Sequence, residues 1–269
     1  MRTAPPRRWP TTSSTWHALG NTYVVAEPGQ PLDAEAASEL AQGADGVLEV
    51  LRRSTTSVAI VIWNPDGSTA ELSGNGVRIA ARWLALRSGE AEVRIVAGAR
   101  TVVARLRPDG LVETELGRVE VFPVEVLEVE REQVEVIPVL VGNPHAVVRR
   151  EPRREELLRL GPLLERHARF PERTNVQLVR VDGVHDVTAT VWERGVGETL
   201  ASGTSATAVA AAAVANGWCQ SPVRVTLPGG ELEVTLDDGL SALVVGPAQE
   251  ICRGEVSSEW LEAGDRPAP

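Results

Sequence analysis

The sequence predicts an α+β protein of two similar lobes, and three observations carry that expectation. Short runs rich in β-branched residues recur along the whole chain and outnumber the helical stretches. Two alanine-rich helical stretches in different halves of the chain open on the same Ser-Gly pair, Ser73-Gly74-Asn75 and Ser202-Gly203-Thr204, each a few residues after a glutamate (Glu71, Glu198). The length of 269 residues, 43% of them apolar, suits one large domain or two modest ones.

In chain order, strands are expected at residues 22–26, 57–63, 92–97, 101–106, 139–141, 175–181, 186–192 and 223–227. Helices are expected at 34–41, 76–87, 154–167 and 205–216, the last ended by Asn216-Gly217. Between Val119 and Val136 glutamate and valine alternate. Period two is what a pair of half-buried strands with one wet face produces, which is preferred here over an acidic interaction stripe. The N-terminal lobe is placed at 13–122, with a last strand at about 243–257 returning to it, and the C-terminal lobe at 123–242. Residues 1–12 and 258–269 have the composition of flexible ends; Pro5, Pro6 and Pro10 fall in the first of them.

All 27 basic residues are arginine. Without lysine there is no Schiff base for pyridoxal phosphate, no GxxxxGK phosphate loop and no kinase phosphate-binding lysine. The net charge of −10 argues against a partner held by phosphate contacts, so no nucleic acid is expected. No apolar run approaches the roughly 18 residues of a membrane helix, and the first twelve residues hold no apolar signal region, so no membrane partner is expected. Two cysteines cannot form a disulfide framework, and a reduced, cytoplasmic compartment follows as the default. His17, His145, His167 and His185 show no metal-ligand spacing, neither serine sits in a GxSxG elbow, and His167 and His185 read as surface residues.

Asparagine is scarce, and apart from Asn216 every one sits in a short motif: Gly20-Asn21-Thr22, Asn64-Pro65-Asp66-Gly67-Ser68, Ser73-Gly74-Asn75-Gly76, Gly142-Asn143-Pro144-His145 and Arg173-Thr174-Asn175-Val176. Each could be a turn, since asparagine tolerates positive φ and bonds its own backbone. Five together suit a zwitterionic ligand, because an amide donates to a carboxylate and accepts from an ammonium without a net charge. Free N–H groups at two helix N-termini would complement them at a carboxylate. Glu193-Arg194, within Trp192-Glu193-Arg194-Gly195, adds an acid and a base at a strand end beside a glycine-rich turn.

These motifs, together with His17-Ala18-Leu19-Gly20-Asn21, Gly43-Ala44-Asp45-Gly46 and Gly246-Pro247-Ala248, resemble in content and order those of the diaminopimelate epimerase family over nearly the whole chain. The resemblance implies two lobes, each a curled mixed sheet wrapped around a central helix, with the active site in the cleft between them. It implies inversion at the α-carbon of an amino acid by proton transfer, with no cofactor and no metal, and it leaves a homodimer open. The α-carboxylate would meet the backbone of Gly74, Asn75, Gly203 and Thr204. The far end of the substrate would meet Asn64, Asn143, Asn175 and Arg194, with Asn21 and Glu193 nearby.

The departure lies at the centre of the mechanism. The family places one cysteine at each helix opening as base and acid, and here Ser73 and Ser202 stand in those positions. A thiol near pKa ~8.5 ionises readily at a helix N-terminus, whereas a hydroxyl needs another group to take its proton. Cys219 and Cys252 lie outside the motifs and are expected to be buried packing residues. Smaller departures are Thr22, Pro65 and Ser205, where the family has aspartate, alanine and glycine. Three readings remain open: an epimerase silenced by deliberate substitution, a paralogue with altered isomerase or eliminase chemistry, and an amino-acid-binding protein without turnover.

Overall fold

The computed structural model describes residues 12–27 and 31–255. The first half of the chain builds β1 (Thr12–Ala18), β2 (Asn21–Ala26), α1 (Ala34–Leu40), β3 (Val47–Arg53), β4 (Ser57–Trp63), β5 (Thr69–Ala70), α2 (Gly74–Ser88), β6 (Glu92–Ala97), β7 (Arg100–Leu106), β8 (Val112–Arg118) and β9 (Glu120–Val121). The second half builds β10 (Glu125–Val129), β11 (Glu132–Leu140), β12 (Pro144–Arg149), α3 (Arg154–Glu165), β13 (Asn175–Val181), β14 (Asp186–Glu193), β15 (Gly197–Thr199), α4 (Gly203–Ala215), β16 (Val223–Leu227), β17 (Gly230–Leu236), β18 (Ser241–Gly246) and β19 (Gln249–Glu255).

The same unit is built twice. In one lobe β3 and β4 pair antiparallel, α2 follows, and β6 lies parallel to β4. In the other, β13 and β14 pair antiparallel, α4 follows, and β16 lies parallel to β14. Each central helix is therefore the crossover of a parallel strand pair, and each carries its own apolar core. Ile79, Trp83 and Leu84 of α2 pack with Ile60, Ile62 and Ile95. Helix α4 packs with Val147, Val179, Val191, Val225 and Val234. Each such aliphatic side chain removed from water contributes roughly 1.5–3 kcal/mol. From Ala206 to Ala213 α4 is buried on every side, which its small residues permit because the sheet can close around them. A third cluster sets Leu157, Leu160 and Leu164 of α3 against β10 to β13. Among the described residues, strands of the two halves pair at three places, β8 with β18, β1 with β19 and β9 with β11.

Several expected elements change on inspection. Both central helices begin two residues earlier than expected, at the glycine after the serine, so that Ser73 and Ser202 are N-caps with extended backbone (φ −132° and −145°). The strand expected at 139–141 is the end of β11, whose first half is the Glu/Val alternation with its valines buried. Helix α3 stops at Glu165 rather than residue 167, and Glu165 O there accepts from Thr174 N. Strands β1, β3, β8, β12 and β17 were not expected, although Leu232, Val234 and Leu236 of β17 alternate with exposed polar residues, and the stretch expected as one last strand at about 243–257 holds the end of β18 and all of β19. The flexible ends expected at 1–12 and 258–269 lie outside the described residues except for Thr12, which begins β1. Cys219 is buried, but Cys252 is exposed on β19 and is not a packing residue, because β19 turns that face to solvent.

Candidate active site

The two central helices meet end to end at their N-termini. A Cβ placed on Gly74 would lie 2.9 Å from Gly203 Cα, and one on Gly203 would lie 3.1 Å from the Arg78 guanidinium and 3.3 Å from Gly74 Cα. Glycine is required at the first helical position of each for this approach. Behind the contact Arg78 is fully buried, its guanidinium donating to Gly74 O, Asn75 Oδ1 and Pro247 O. Burial lowers its pKa to about 10, so at neutral pH it remains a cation held by oxygens of amides and adds to the positive end of both helices.

A cavity of about 660 Å³ opens on this junction. Of the residues named from sequence, Asn21, Asn64, Ser73, Gly74, Asn75, Asn143, Asn175, Glu193, Arg194, Ser202 and Thr204 line it, whereas Gly203 sits behind, against Gly74 and Arg78. The asparagines are not all free to reach a ligand. Asn21 and Asn75 both donate to Ala201 O (2.7 and 2.9 Å), which fixes the residue before Ser202 from the opposite lobe. Asn175 donates to Pro144 O and accepts from Arg194 N, holding two cavity walls together. Asn64 donates to Ser68 Oγ. Asn143 Oδ1 is bonded to His145 Nε2 at 3.0 Å. His145 is fully buried, and burial drops its pKa to about 3, so the ring is neutral. Gln177 Nε2 meets His145 Nδ1 at 3.0 Å; since the amide must donate, Nε2 carries the ring proton and donates to Asn143. The Asn143 amide N–H₂ is left to the cavity.

The serines have different neighbours. Ser73 Oγ accepts from Gly76 N at 3.1 Å, an N-cap bond, and lies 3.0 Å from the Tyr23 hydroxyl. Ser202 makes no cap bond, and its Oγ is 3.4 Å from Thr204 Oγ1. Burial pushes the Tyr23 phenol up to about 12. Burial also raises Glu193 above the usual carboxylate range. His17 is bonded to Gln249, so neither serine is paired with a histidine. Tyr23, Arg100 and Arg173 also line the cavity and were not picked out from sequence. Tyr23 follows Gly20-Asn21-Thr22 directly on β2, where a tyrosine reads as packing. Arg100 reaches Gly142 O from the other lobe, a tertiary contact with no local signature.

With that geometry in place, the comparisons bear on it. The family profile for diaminopimelate epimerase matches residues 138–250. The diaminopimelate epimerase of Synechococcus elongatus is 35% identical, over 90% of this chain and 96% of that one. That of Stutzerimonas stutzeri is 36% identical over 72% of this chain and 76% of its own. Among solved structures, a hydroxyproline epimerase from Agrobacterium vitis with bound trans-4-hydroxy-L-proline superposes with TM-score 0.67 at 18% identity, over 93% of each chain. A phenazine biosynthesis protein of Bacillus anthracis superposes with TM-score 0.69 at 14% identity, over 92% of this chain and 99% of that one. These structures share the fold. Among the described residues there is no helix long and apolar enough to cross a membrane and no cluster of three or more potential metal ligands.

Proposed function

Since the chain belongs to the diaminopimelate epimerase family, we propose that it binds a free amino acid of the length of diaminopimelate and moves a proton at its α-carbon without a cofactor. The observation that carries this reading is the junction of two helix N-termini at Gly74 and Gly203, opening into one cavity lined by both Ser73 and Ser202. Unpaired N–H donors from both helices, backed by Arg78, suit an α-carboxylate. They also favour the negative charge that spreads onto that carboxylate when the α-hydrogen leaves as a proton. The α-carbon then sits between the two serines, with Asn21 and Glu193 beside it. Asn64, Asn143 and Arg194 suit the far end, with Asn175 fixing the walls that present them.

Serine in place of a thiol makes the proton transfer slower than a cysteine pair would give, because a hydroxyl ionises far less readily than a thiol. Calorimetric titration with LL-, meso- and DD-diaminopimelate tests the binding half, with saturable binding of at least one isomer expected. Ser73→Cys together with Ser202→Cys tests the chemistry: at least a tenfold rise in epimerisation is expected. No binding by any isomer would sink the reading, and binding without any gain from the double change would leave only a binding protein.

A further inference from the structure

We propose that Gln177 and Ser205 determine which chemical group the far end of the cavity accepts. Through the His145 ring they hold the Asn143 amide with its N–H₂ toward the ligand, so that a carboxylate is taken there in preference to an ammonium. This deepens the reading of the cavity as an amino-acid site and rests on it. Neither Gln177 nor Ser205 lines the cavity, and both act through other side chains, so they are positioning residues.

The chain of contacts runs from the first turn of α4 to the cavity wall. Gln177 on β13, Ser205 on α4 and His145 on β12 are all fully buried. Gln177 Nε2 carries two hydrogens and stands 3.0 Å from two acceptors, Ser205 Oγ and His145 Nδ1. Its Oε1 is buried without a partner among the described residues. Turning the amide over would exchange that orphaned oxygen for a buried N–H₂ with nothing to donate to, and buried N–H groups without a partner are rarer than such carbonyls. With Nδ1 accepting, the ring proton sits on His145 Nε2 and is donated to Asn143 Oδ1 at 3.0 Å. Burial lowers the His145 pKa to about 3, so at neutral pH no second ring proton competes for Nδ1. Asn143 lines the cavity, and with its Oδ1 committed to His145 it offers a ligand only its N–H₂.

A donor of this kind pairs with a carboxylate oxygen. It cannot pair with an ammonium, whose own hydrogens need acceptors. Arg194, also a donor only, belongs to the same wall: Asn175 accepts from Arg194 N and donates to Pro144 O, next to Asn143. Were the ring proton on Nδ1 instead, Nε2 would accept from Asn143, and Asn143 Oδ1 would face the cavity as an acceptor for ammonium. The preference therefore depends on the place of one buried proton. Ser205 supplies the second acceptor that keeps Gln177 turned to fix it there, which a residue without a hydroxyl at that place would not.

Two probes separate the groups: L-α-aminopimelate ends in a carboxylate alone, and L-lysine ends in an ammonium alone. Long-range proton–nitrogen NMR spectra of the wild-type chain should show the His145 ring as the Nε2–H tautomer. In calorimetric titration wild type should bind L-α-aminopimelate roughly tenfold more tightly than L-lysine, or better. Gln177→Met keeps the size of the side chain and removes its donor, so both tautomers become populated. The preference should then fall by about threefold or more, with L-α-aminopimelate binding more weakly and L-lysine more tightly. Ser205→Gly should move both affinities in the same directions by a smaller factor. A site that is merely loosened weakens both probes, so movement in opposite directions separates positioning from packing. His145 found as the Nδ1–H tautomer in wild type, or both affinities falling by one factor in Gln177→Met, would overturn the proposal. Absence of binding to wild type by both probes and by every diaminopimelate isomer would instead overturn the amino-acid reading beneath it.

Discussion

Ser73 and Ser202 hold equivalent places in the repeated unit, each capping the helix that crosses between parallel strands, yet their surroundings have diverged. At α2 the hydroxyl is committed to the helix through Gly76 N and meets a phenol. At α4 the cap bond is absent, the hydroxyl meets the Thr204 hydroxyl, and the helix behind it is buried on all sides. A repeat fixes the backbone frame because both lobes need the same strand-helix-strand crossover and the same glycine contact. It does not fix the partners of the capping side chains, which are Tyr23 of β2 on one side and Thr204 of α4 itself on the other.

The largest expected break is Glu193→Gln, which keeps the shape of the side chain and removes the carboxylate from the cavity beside Ser202. Both exchange and inversion of diaminopimelate should fall by about 10²- to 10⁴-fold, the usual contribution of a positioned acid or base. Retention of wild-type exchange would place the base elsewhere. Next in size is Gly74→Ala. Its methyl would press into Gly203 backbone, and overpacking of this kind costs about 1–3 kcal/mol, read as a lower midpoint in urea. Unchanged stability would mean that the helix ends are not held in contact.

Smaller, and specific to the asymmetry, is the pair Ser73→Ala and Ser202→Ala. The first removes a cap bond and should cost about 1 kcal/mol, whereas the second removes none and should cost less than half of that. Equal losses would erase the structural difference between the two openings. The smallest effect is a trend with pH. Glu193 has a folded pKa raised above its unfolded value, so its contribution to stability is present below about pH 4.5 and is lost as pH rises through the folded value. Glu193→Gln should therefore melt higher than wild type at pH 7, by a margin that shrinks toward pH 4. Tyr23, raised to about 12, is neutral throughout that range, and the melting difference of Tyr23→Phe should stay flat from pH 4 to 8. A flat Glu193→Gln difference would contradict the burial assigned to that carboxyl.

Much of the frame was readable from sequence, and the reasons are physical. Strands such as β4, β6, β13 and β16 match their expected ranges because β-branched runs bounded by turns leave little choice. The helix openings showed as Ser-Gly pairs, but the first turn did not, since glycine there argues against a helix until the opposing helix requires it. The asparagine motifs were visible as a set. That Asn175 and Asn75 spend their amides on neighbouring backbone, and that His145 fixes Asn143, depends on contacts between distant segments. Tyr23 carried no signal as a functional residue, because a tyrosine in a strand normally means packing. Only its hydroxyl on Ser73 separates it from an ordinary core aromatic.

The central claim is that a proton moves at the α-carbon of an amino acid held between Ser73 and Ser202. Incubation of the chain with LL-, meso- and DD-diaminopimelate in D₂O, followed by mass spectrometry and chiral separation, tests it directly. The account predicts one deuterium per reacting centre at the α-carbon, with inverted product accumulating behind the exchange. Saturable binding of all three isomers with no α-deuterium in any of them would contradict it.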